Sequence, residues 1–167
     1  MKRTKKIALS GLILAAAVIL TTLESTFFSF LPSGIRIGLA NVAVMLAVLT
    51  VDVGTAFSVT VLKSLFVALT RGVTAGLMSI SGGLPAFIIT ALLLKKTKAS
   101  YIMISVAASI CHTSGQIVML YFMTGNILSF GYLPVLMITS VASGALTGTV
   151  LKITLPSARK AINNFSK

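Results

Sequence analysis

Six apolar stretches, at approximately 7–26, 36–51, 53–71, 75–94, 99–124 and 130–153, follow one another along the chain with only short punctuation between them. A helix needs about 20 mainly apolar residues, at about 1.5 Å rise each, to cross the hydrocarbon of a bilayer. Lipid tolerates only segments that satisfy their own backbone hydrogen bonds. The punctuation is of the kind that ends helices: Pro32-Ser33-Gly34, Asp52-Val53-Gly54, Arg71-Gly72, Lys95 to Lys98, and Thr124-Gly125-Asn126. The expectation is an all-α polytopic membrane protein with about six transmembrane helices in one bundle. Residues 1–167 would form a single integral membrane domain, with short basic tails at about 1–6 and 154–167. Composition agrees, since 56% of the residues are hydrophobic and only 10% charged, which is far from the balance of a soluble domain.

The net charge of +12 would suggest nucleic acid in a soluble protein. Here position argues otherwise. Eleven basic residues fall in the first six residues, in Lys95-Lys96-Thr97-Lys98, or from Lys152 onward, so they collect at the ends of apolar segments. With six spans these ends share one side of the membrane, against Arg36 and Arg71 on the other. The positive-inside rule then makes both termini cytoplasmic, in the cell (plasma) membrane, with membrane lipids as neighbours and no nucleic acid. Met1 to Lys6 followed by Ile7 to Leu23 imitates a signal peptide but has no small-x-small cleavage site, and reads as an uncleaved first helix.

Ionisable groups inside a span are costly unless paired or hydrated, so each is a candidate for function. Glu24 lies at the outer end of the first segment, Arg36 opens the second, Asn41 follows it, and Arg71 closes the third with Lys63 two turns deeper. In the fifth segment Ser105, Ser109, His112 and Gln116 recur at helical spacing and form one polar stripe, which should face protein or a cavity. Glu24, Arg36, Asn41, Lys63, Arg71, His112 and Gln116 are thus the expected substrate-binding residues, most of them in the extracellular half and suited to a small polar or anionic molecule. Ser81-Gly82-Gly83-Leu84-Pro85 should bend or interrupt the fourth helix. Small residues four apart, at Gly11/Ala15, Gly34/Gly38 and Ser140/Gly144/Gly148, mark close helix approach. One His, one Cys, one Asp and one Glu do not suggest a metal site, and no cofactor is expected.

The motifs Leu23-Glu24-Ser25, Pro32 to Asn41, Leu69-Thr70-Arg71-Gly72, Ser79 to Gly83, His112-Thr113-Ser114-Gly115-Gln116 and Tyr132-Leu133-Pro134 stand in an order that resembles the Gx transporter family, also labelled heptaprenyl diphosphate synthase component I. That family looks related to the S components of energy-coupling factor transporters. The resemblance implies a six-helix S-component-like bundle that binds a vitamin, cofactor or isoprenoid precursor for uptake. It also implies a transmembrane coupling subunit and two cytoplasmic ATPases as partners, and this sequence has no P-loop of its own. S components dock through Ala-x-x-x-Ala on the first helix, to which Gly11-x-x-x-Ala15 is the nearest match. The alternative is a noncatalytic membrane partner of a heptaprenyl or polyprenyl diphosphate synthase. In neither reading is the chain an enzyme, because prenyl transfer needs magnesium on clustered aspartates and Asp52 is the only one.

Overall fold

Residues 3–27 and 38–166 are described by the computed structural model, and they form helices throughout. The helices are α1 (Arg3–Phe27), α2 (Ala40–Thr50), α3 (Val53–Arg71), α4 (Val73–Lys96), α5 (Tyr101–Thr124) and α6 (Leu133–Ser166), with a 3₁₀ turn at Ile127–Tyr132 leading into α6. Each expected segment is therefore a helix. Five are long and apolar enough to cross a membrane, which makes this a multi-pass membrane protein, while α2 has only 11 residues.

The joints follow from local chemistry. Asp52 caps α3 by accepting the Thr55 N–H at 2.8 Å, as an N-cap carboxylate does for an orphan donor. Gly72, at φ +90°, allows α4 to begin directly after α3. Gly125, at φ +62°, closes α5 with its N–H on the Tyr121 carbonyl at 2.8 Å.

Of the two outcomes expected at Ser81 to Pro85, a bend or an interruption, the interruption does not occur: α4 runs unbroken through Pro85. Proline withholds one N–H, and in a regular helix the carbonyl that loses its partner is that of Ser81, four residues back. Gly115 of α5 lies directly against this oxygen, so close that a Cβ added at Gly115 would sit 2.0 Å from it. The neighbouring helix covers the gap in the ladder, and the proline is accommodated without a break.

The short α2 is the centre of the molecule. It touches α1, α3, α4 and α6, and Val42, Ala43, Val44, Met45 and Ala47 are all buried. A helix apolar all round belongs in a core. Ala43, Val44 and Ala47 join Ala17, Ala56, Val59 and Phe87 in one cluster, while Val42 and Met45 join Ile104 and Leu151 in another.

One end of the bundle gathers the basic residues. Lys6 at the foot of α1 pairs with Asp52 at 2.8 Å, a cavity brings Lys98 and Lys152 to Leu49, and Arg159 approaches Thr50. The Lys6 ammonium, and after it the Thr55 N–H, hold the Asp52 carboxyl below its ordinary value of 3.8, against a smaller opposing effect of burial. A carboxyl lowered in the folded state stabilises fully above that ordinary value, and the contribution fades as pH falls through the folded one. Thermal melting in detergent should therefore lose a small increment as pH falls below about 4, small because the pair is half exposed. Asp52→Asn should abolish that part of the dependence.

Candidate functional site

The polar stripe of α5 is buried along its length, with Ser105, Ser109, His112 and Gln116 each less than a tenth exposed. It divides between two neighbours. Ser105 shares a hydrogen bond with Thr147 of α6 at 2.7 Å, and Ser109 with Ser143 at 2.9 Å. Thr113, one residue off the stripe, bonds Ser140. These hydroxyl pairs zip α5 to α6, and Gly144 and Gly148 let the backbones meet there: a Cβ on either would lie within 2.7 Å of the α5 backbone at Val106 or Ile102. His112 and Gln116 face α4 instead. Both pack on Gly82, where an added Cβ would come 2.9 Å from Gln116 Cγ and from His112 Cε1.

On the other side of α4, α3 presents Thr60, Lys63 and Ser64, all buried. Ser64 and Ser79 share a hydrogen bond at 3.1 Å, and Gly83 faces the Thr60 methyl. Lys63 is only 3% exposed, inside a helix that crosses the membrane, so the structure buries it in the protein. These contacts fix the relative depth of the helices. Ser64 and Ser79 are level, and Gly82 with Gln116 lies within about one helical turn, roughly 5 Å, of them. Lys63, Gln116 and His112 therefore occupy one middle layer, on either side of the Gly82-Gly83 stretch of α4.

Glu24 and Arg71 form a layer nearer the end opposite the basic residues. Arg71 donates to the Thr21 carbonyl at 3.2 Å and to the Ser25 hydroxyl, which pins the end of α3 to α1. Glu24 is 7% exposed and accepts the N–H groups of Gly38 at 2.7 Å and Leu39 at 3.1 Å. Its carboxylate is thus spent on the entry to α2, where free backbone donors attract an anion. Asn41 is the second residue of α2, its N–H on the Gly38 carbonyl at 2.8 Å. Arg36 lies outside the described residues.

Among the described residues nothing packs over Gly11 and Ala15. Both are exposed on α1, and a Cβ at Gly11 would meet nothing within 4 Å. Sequence reasoning passed over Thr60, Ser64 and Ser79, which complete the middle layer. The signal available was the four-residue spacing of Thr60 and Ser64 beside Lys63.

The middle layer offers an ammonium and hydroxyls on one side of the Gly82-Gly83 stretch of α4 and an imidazole and an amide on the other. The amide nitrogen of Gln116 is buried there with no hydrogen-bond partner, and leaving such a donor unmet costs about 1–3 kcal/mol. Among the described residues no three of His, Cys, Asp and Glu cluster. The layer places the donors of Lys63 and Gln116 at one depth with the hydroxyls of Thr60, Ser64 and Ser79.

A protein-family model described as heptaprenyl diphosphate synthase component I matches residues 13–154. No curated protein and no solved structure matches the chain.

Proposed function

The chain belongs to the heptaprenyl diphosphate synthase component I family, and from that premise we propose that it is a noncatalytic binding subunit embedded in the membrane. In this reading the middle layer of Lys63, His112 and Gln116 holds a small polar or anionic molecule that enters from the side of Glu24, Asn41 and Arg71. The basic end faces the cytoplasm of a plasma-membrane protein, as the positive-inside rule assigns it. Movement of the bundle with a transmembrane coupling subunit and two ATPases would deliver the molecule inward, as in the S components to which the resembled family looks related. The buried, unpartnered donor of Gln116 carries the reading. A chain folded only for stability gains nothing from it.

A second reading rests on the family's name: a membrane partner of a polyprenyl diphosphate synthase, whose basic end would meet the catalytic subunit. Both readings leave this chain without catalysis. Of its two carboxylates, Glu24 is held by backbone N–H groups and Asp52 by Lys6 and Thr55 at the opposite end. No pair remains to hold magnesium on a diphosphate.

The test is mass spectrometry of small molecules released from the purified protein and from Gln116→Leu prepared identically. The variant should carry on the order of tenfold less of a soluble compound, the factor of one lost hydrogen bond, while melting no lower than the parent. Equal amounts in both preparations would remove Gln116 from the site. A polyprenyl compound or a co-purifying synthase in place of the soluble molecule would decide for the second reading.

A further inference from the structure

Along α1, Leu9, Leu12, Ile13 and Ala16 line an apolar slot of about 280 Å³, closed by Leu46 of α2 and Ile162 of α6. From its outermost lining residue, Ala8, to Ala16 the slot follows eight residues of helix, about 12 Å. That is most of one leaflet's hydrocarbon, about 15 Å. At its foot it meets a smaller cavity of about 210 Å³ lined by Leu49, Thr50, Arg159 and Ile162, so that Thr50 and Ile162 belong to both. Lys5 stands one turn before Leu9 on the same helical stripe. The result is a greasy slot with Arg159 at its mouth and Lys5 one turn beyond it along α1.

We infer that this slot binds an anionic phospholipid of the leaflet at the basic end, one acyl chain lying along α1 and the phosphate at Arg159 and Lys5. Charge complementarity favours this occupant. The acid at this end, Asp52, is held by Lys6, and among the described residues neither Lys5 nor Arg159 makes an ion pair. The lining of the slot is apolar apart from Thr50, which leaves the polar recognition to the mouth. Sequence beyond Pro156 brings Arg159 and Ile162 across to α2, so α6 builds the head-group end of the slot. This site lies apart from the middle layer and is independent of what that layer binds.

Native mass spectrometry of the full chain in detergent, titrated with phosphatidylglycerol or with phosphatidylcholine of the same acyl chains, tests the assignment. Each cation near an anionic head group is worth about fivefold, so phosphatidylglycerol should be retained on the order of twentyfold better. The double variant Lys5→Gln/Arg159→Gln should bring that preference to parity, and Leu12→Trp, which fills the slot, should weaken both lipids. Lys152→Gln, a basic residue elsewhere at the same end, should leave the preference intact. Equal retention of the two lipids by the parent would overturn the inference, as would a preference that survives in the double variant or is lost equally in Lys152→Gln. Displacement by inorganic phosphate alone at equal concentration would also overturn it, by showing a site for the free anion. The variants' melting temperatures, read in the same detergent, separate loss of the site from loss of the fold.

Discussion

Gly115→Ala should destabilise the bundle by about 3 kcal/mol, the upper part of the range for overpacking. Its methyl would stand 2.0 Å from the Ser81 carbonyl oxygen and 2.9 Å from the carbon, atoms of backbone that cannot rotate away. Relief requires α5 to withdraw from α4. That movement uncovers the carbonyl that Pro85 leaves without its helical donor, and it parts His112 and Gln116 from Gly82. The contrast is Gly11→Ala, where nothing lies within 4 Å, and where replacing a mid-helix glycine should stabilise by about 0.5–1 kcal/mol. Denaturant titration in mixed micelles measures both, and equal stability of Gly115→Ala and the parent would mean that the two helices are not packed as described.

Periodicity made much of this legible and then ran out for a definite reason. The spacing of Ser105, Ser109, His112 and Gln116 identifies a buried face, because residues three and four apart share one side of a helix. It does not name the helix opposite. That Ser105 and Ser109 fasten α6 while His112 and Gln116 lie on α4 depends on where Gly144, Gly148 and Gly82 permit close approach. The effect of Pro85 also depends on a neighbour. A proline frees a carbonyl without necessarily ending a membrane helix, and here Gly115, thirty residues away in sequence, packs against that carbonyl. The gathering of positive charge at one end was legible because the basic residues mark segment ends. The depth of Lys63 was not, since a long stem can reach water from several positions.

Glu24 is the residue whose meaning changes most between sequence and structure, and its substitution gives the second large effect. Glu24→Ala should cost about 3–4 kcal/mol: two charge-assisted hydrogen bonds are lost, each worth about 1.5–3 kcal/mol, with side-chain ordering recovered in part. The Gly38 and Leu39 N–H groups, bonded at 2.7 and 3.1 Å in the parent, would lose their acceptor at the entrance to α2. Glu24→Gln keeps one carbonyl oxygen but turns an NH₂ toward a donor, so about half of the loss should remain. α2 is the core helix that both apolar clusters share, so the damage should appear as global instability. A Glu24 that instead bound ligand directly would behave differently: both variants would melt like the parent and release less of the bound compound. Measuring melting and compound release on the same two preparations separates these outcomes. A graded loss of stability from Gln to Ala is the result expected of a carboxylate that anchors the entry to α2.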